Sequence, residues 1–157
     1  MMRRLTAVAL SAGLLAGCRP APAGDGGFAG VQARGERAMG VDQYTSTHRF
    51  EPLPDGGRIV LQRDTADTAG TAVIREHMRE IEAAFGAGDF RLPGFVHAGE
   101  VPGTAVMAAR RAVITYTADT VPRGGQLRIR TTDPEAIRAV HEFLAFQRAD
   151  HHASPHP

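Results

Sequence analysis

With 157 residues, 43% of them hydrophobic, the chain has the length of one ordinary domain and enough apolar content for a single core, which excludes a disordered chain. The formal charge is +1, aromatic residues make up 6%, and no basic block occurs, so nothing points to nucleic acid. A single cysteine excludes an intramolecular disulfide and cysteine-based zinc sites.

Residues 1–17 read as a signal peptide: Arg3 and Arg4, an apolar run from about Leu5 to Leu15, then small residues. That run is short of the roughly 20 apolar residues that span a bilayer. It ends in Leu15-Ala16-Gly17-Cys18, which resembles the lipobox of bacterial lipoproteins. The resemblance implies cleavage before Cys18 and lipid on its thiol, with palmitate among the acyl chains. At ~0.8 kcal/mol per buried methylene, several such chains hold a protein at a membrane. Arg19 in place of an acidic residue resembles the pattern that sorts lipoproteins to the outer membrane, facing the periplasm, in diderm bacteria. Once the leader and its two arginines are removed, 16 basic residues stand against 17 acidic ones.

Residues 18–40 are rich in Pro, Ala and Gly and carry no apolar period, so they read as a flexible tether. The globular domain is expected over 41–152, with 153–157 as a disordered tail. Tyr44, Ser46, His48 and Phe50 alternate with polar residues, the period of a half-buried strand. Pro54-Asp55-Gly56-Gly57 makes a turn, and Arg58 to Arg63 returns as its partner. Asp64 or Asp67 caps a helix over Val73–Phe85, VIREHMREIEAAF, whose Ile74, Met78, Ile81 and Phe85 share one face. Asp89 to Gly103 reads as a Pro/Gly loop containing His97, followed by a short apolar segment at Val106 and Met107. AVITYT at 112–117 is a strand, Pro122-Arg123-Gly124-Gly125 a turn, and Leu127 to Arg130 the returning strand. Thr132 or Asp133 caps a last helix with Pro134 in its first turn, running through Ile137, Val140, His141 and Leu144 to about Arg148.

DGGRIVLQRD plus a helix and RGGQLRIRTTD plus a helix form an internal repeat. The turn glycines are 68 residues apart and His77 and His141 64 apart, which pairs the two histidines. Two strand-strand-helix units then give an α+β fold: a four-stranded, mainly antiparallel sheet with two helices on one face.

Strand parity places His48 with Phe50, Ile59, Leu61, Ile114, Tyr116, Leu127 and Ile129 on the side facing the helices, so His48, His77 and His141 are expected to converge between the layers. Three imidazoles suit copper or zinc with one position open, and the Met78 thioether biases the set toward copper. The alternative is that each histidine completes the core by a hydrogen bond. On the opposite face, Arg49, Arg128 and Arg130 among threonines are a surface for an envelope protein or an acidic polymer, or simply a solvated face. A weaker alternative is a small hydrolase using His97 and a carboxylate, since Asp64 and Asp67 are better explained as caps. His151, His152 and His156 read as a solvated end. No nucleophile elbow, P-loop or dinucleotide fingerprint is present.

VDQYTSTHRF, the two glycine-pair hairpins, IREHMREI and AIRAVHEFLAFQRADHH together resemble a family of small conserved bacterial proteins of unknown function, over roughly 40–152. The resemblance implies domain boundaries and no catalytic residue. The combined expectation is a non-enzymatic binding domain anchored to the cell envelope.

Overall fold

The computed structural model describes residues 27–152. Their order is α1 (Phe28–Met39), a single 3-10 turn at Gln43–Thr45, β1 (Ser46–Leu53), β2 (Gly56–Arg63), α2 (Thr68–Gly86), α3 (Arg91–His97), α4 (Thr104–Ala109), a 3-10 turn at Arg111–Val113, β3 (Thr115–Val121), β4 (Gly124–Arg130) and α5 (Pro134–Asp150). The strands form one antiparallel sheet in the order β1-β2-β4-β3, so the two hairpins meet along β2 and β4. This is the α+β repeat architecture read from the sequence.

Each long helix lies mainly across the hairpin of the other unit: α2 on β3 and β4, α5 on β1 and β2. Neither strand-strand-helix unit covers its own sheet, which ties the two into one core. Ile59, Leu61, Leu127 and Ile129 from the central strands meet Ile74, Met78, Ile81 and Phe85 from α2, and Val140, Phe143 and Leu144 from α5.

The paired glycines of each hairpin do two jobs. A Cβ on Gly56 would sit 2.4 Å from the Ile129 carbonyl oxygen, and one on Gly124 would sit 1.9 Å from that of Leu61, so the first glycine of each pair lets β2 and β4 approach. The second receives a helix: a Cβ on Gly57 would meet Leu144 of α5, and one on Gly125 would meet Met78 of α2.

The helices begin alike. Asp67 accepts from Gly70 N–H and Asp133 from Ala136 N–H. These caps are 66 residues apart, and so are Met78 and Leu144, which fill the two glycine notches. The strands repeat at 68 and the helices at 66. The 64-residue pairing of His77 with His141 is therefore two residues out of register, about 200° around a helix.

Two segments depart from expectation. Phe28–Met39, read as tether, is a helix with Val31, Gln32 and Gly35 buried and Gly40 closing it in the left-handed region. Its buried side carries one large apolar residue, so no period marks it. Arg91–His97, read as loop, is also helical: Pro93 falls in the first turn, where a missing N–H costs nothing. The first strand starts at Ser46, with Tyr44 exposed in the preceding turn. No helix among the described residues is long and apolar enough to cross a membrane. Residues 1–26, where a signal peptide, Cys18 and most of a tether are expected, and residues 153–157 with His156 lie outside the described residues.

Candidate functional site

His141 does not join the other histidines. Its Nε2 donates to the Leu53 carbonyl at 2.9 Å, at the tip of the first hairpin. The residue in the same place on α2 is Arg75, which donates to the carbonyls of Val121 and Gly124 at the tip of the second hairpin. Both side chains tie a helix to a turn. Among the described residues, no group of three or more His, Cys, Asp or Glu is arranged to hold a metal ion. The convergence of His48, His77 and His141 is thus corrected.

The structure replaces His141 with His151. His48, His77 and His151 line one cavity of about 90 Å³, together with His97, Gln43, Gln147, Met39, Met78 and a wall of aliphatic and phenyl side chains. His151 stacks on His48 with ring centroids 5.1 Å apart and leans on Phe50 at 5.4 Å. It belongs to the site, whereas His152 is exposed and stacks on Phe28 of α1. The rim is supplied by elements outside the repeat: α1 contributes Gly35, Ala38 and Met39, and α3 contributes Leu92, Pro93 and Val96. Arg34 of α1 donates to the Val96 carbonyl at 2.7 Å, joining the two.

The repeat offsets show what occupies the equivalent place in the other half. At 68 residues His48 corresponds to Tyr116; at 66, His77 corresponds to Phe143 and His151 to Phe85. Those three form an aromatic cluster, with Phe85 edge-on to both Tyr116, at 5.8 Å, and Phe143, at 6.0 Å. One half of the domain is filled by Phe, Phe and Tyr; the other half, on the same frame, carries three histidines and a cavity. The twin fills the same frame with two hydrocarbon rings and one phenol, whose Tyr116 hydroxyl is also buried without a partner, so three imidazoles are not what packing alone requires there.

These imidazoles are neutral at pH 7. Burial pulls His48 down to about 4, helped by neighbouring His77 and opposed by a hydrogen bond to the Ser46 backbone and by Asp64. Burial likewise pulls His151 down to about 3, with His48 and His97 acting in the same direction. His77 is lowered by burial against the opposing pull of Glu80, whose carboxylate is 3.7 Å from Nδ1. As whole residues His48, His77 and His151 are only half-buried, but His48 Nε2 and His151 Nδ1 are shut off from solvent without a hydrogen-bond partner, and the buried His77 Nδ1 has only the Glu80 carboxylate, beyond hydrogen-bond length at 3.7 Å. Gln43 Oε1 is likewise buried without a partner.

His97 sits differently. Its Nδ1 is bonded to the Asp150 carboxylate and its Nε2 lies 2.8 Å from Gln147 Oε1, with the side chain 1% exposed. The carboxylate partner exists, yet both ring nitrogens are engaged and no lone pair is turned to a substrate. The pair fastens α3 to the end of α5.

Met78 packs over Gly125 and lines the cavity. Asp67 is the helix cap, held also by Arg63 at 2.9 Å, and Asp64 accepts from Thr47, so the two carboxylates serve separate structural roles. On the open sheet face Arg49 and Arg58 pair with Glu51, while Arg128 pairs with Asp55 and donates to the carbonyls of Gly57 and Ile129. Arg130 lies 3.9 Å from Asp55 and is the most exposed of these guanidinium groups. Two carboxylates thus serve four guanidinium groups, and the face is only partly neutralised from within.

The fold and cavity define an interlocked two-repeat α+β sandwich with a histidine-lined pocket in one half. No family model, no curated protein and no solved structure matches the chain.

Proposed function

We propose that the chain is a cell-envelope lipoprotein whose folded part is a non-enzymatic binding domain, with the cavity at His48, His77 and His151 as its site. The observation that carries the binding reading is the substitution of an aromatic trio by a histidine trio on one repeat frame, with buried ring nitrogens left unpartnered. Buried polar groups are almost always hydrogen-bonded, and an unmade bond costs ~1–3 kcal/mol, which a bound molecule recovers. The anchoring half of the proposal rests on Leu15-Ala16-Gly17-Cys18 alone. Copper and zinc, the ligands that three converging imidazoles suggested, lose His141 as a donor, so the site is read here as one for a small molecule.

Binding is tested by methyl NMR of the mature chain against a panel of small uncharged fragments. The Met39 and Met78 methyls at the cavity are expected to shift in wild type and in His141→Ala. A panel that leaves both methyls unmoved overturns the binding site. For the anchor, Cys18→Ser is expected to move the protein from the membrane fraction to the soluble one, and unchanged membrane association would contradict lipidation.

A further inference from the structure

From the hydrogen-bonding state of the cavity wall we infer the ligand's chemistry: a flat, uncharged molecule smaller than benzene that carries an N–H or O–H donor. This rests on the binding-domain reading above and specifies what the site accepts.

The wall offers acceptors whose donors are missing. Nε2 of His48 is buried and unpartnered while the ring is engaged by the Ser46 backbone, and from this we assign the proton to Nδ1 and the lone pair to Nε2. Gln43 Nε2 donates to the Val41 carbonyl at 3.0 Å, which fixes the amide so that Oε1 is the free acceptor. Both atoms are buried, both residues line the same cavity, and neither has a partner in the protein. A molecule that only accepts would leave these lone pairs unmet; one that donates satisfies them.

The same wall disfavours charge. None of the lining residues is Asp, Glu, Lys or Arg. The nearest acidic groups are committed elsewhere: Asp150 to His97, Asp64 to Thr47, and Glu80 largely exposed beside His77. An ion entering this space would lose its hydration without a counter-charge. The size follows from volume, since a cavity of ~150 Å³ accepts benzene and this one is about 90 Å³. Stacked rings of His48, His151 and Phe50 give it flat walls.

Pyrrole and furan are a matched pair for the test, equal in shape and differing in the N–H donor. Each is titrated into the mature chain at pH 7.5 and followed at the Met39 and Met78 methyls, beside acetate and methylammonium, in wild type and in His48→Phe. That variant places at position 48 the kind of ring its twin Tyr116 already supplies, so the fold is retained, which the rest of the spectrum verifies. Wild type is expected to bind pyrrole roughly five- to a hundredfold more tightly than furan, the range for satisfying a buried acceptor. His48→Phe is expected to cut that preference to below twofold. Equal binding of pyrrole and furan overturns the donor requirement while leaving a binding cavity in place. Preference for acetate or methylammonium overturns the uncharged class. If none of the four moves the methyls while other fragments do, the ligand chemistry is wrong; if no fragment does, the cavity reading falls with it.

Discussion

Acid should destabilise this domain through its buried histidines, and His48 is the one whose share can be isolated. In the unfolded chain the imidazole titrates near 6.5, and in the folded protein burial holds it at about 4. Between those values the unfolded state binds the proton and the native state does not, so stability rises with pH across the window. The contribution is fully present above about 6.5 and is lost as pH falls toward 4. A difference of two to three pH units corresponds to roughly 3 kcal/mol for this one residue, a large share of the ~5–15 kcal/mol that holds an ordinary domain. Carboxylates with lowered values, such as Asp89 at about 2 beside Arg91, act only at lower pH, whereas His77 and His151, also lowered by burial, add slopes of the same sign in this window. Urea unfolding of the mature chain from pH 7.5 to pH 4 measures the slope directly. His48→Phe removes the titrating group, and its curve should be flatter by most of that amount. Equal slopes in wild type and variant would refute the claim that His48 is buried neutral.

Three further outcomes follow from the repeat. His151→Phe, which copies Phe85 from the twin position, should raise stability by about 1 kcal/mol or more in urea unfolding at pH 7.5, because a desolvated nitrogen without a partner is removed. His141→Ala should cost about 1 kcal/mol in the same assay through the lost bond to the Leu53 carbonyl, and should leave the cavity methyls unmoved. Gly124→Ala should be the most damaging: its Cβ would lie 1.9 Å from the Leu61 carbonyl oxygen in the central strand pair, and a loss above ~3 kcal/mol or failure to fold is expected.

Local rules made the frame legible. The glycine pairs mark both hairpins, strand alternation puts His48 on the helix side, and Asp67 and Asp133 are candidate caps from the sequence alone. The anchors of the repeat in the helices are the capping aspartates and not the histidines. Aligning on histidines shifted the helices by two residues; aligning on the capping aspartates would have paired His141 with Arg75 and His77 with Phe143. That pairing would also have matched His151 with Phe85 and moved it from the solvated end into the core. The covering helices were illegible for a different reason. Val31 is the one fully buried apolar side chain of α1, and α3 is a single short element whose Pro and Gly have the composition of a loop. Their positions depend on contacts with each other and with the cavity rim, which no local pattern records. The arginines of the open face are visible in the sequence, but their pairing with Glu51 and Asp55 is not, because it needs strand register and turn geometry together.

The most direct measurement of the central claim is the protonation state of the His48 ring in the mature chain. Long-range proton–nitrogen NMR at pH 7.5 should find a neutral imidazole protonated on Nδ1, with Nε2 carrying a lone pair that changes its nitrogen shift when pyrrole is added and not when furan is. A proton on Nε2, or a cationic ring at that pH, would contradict the account.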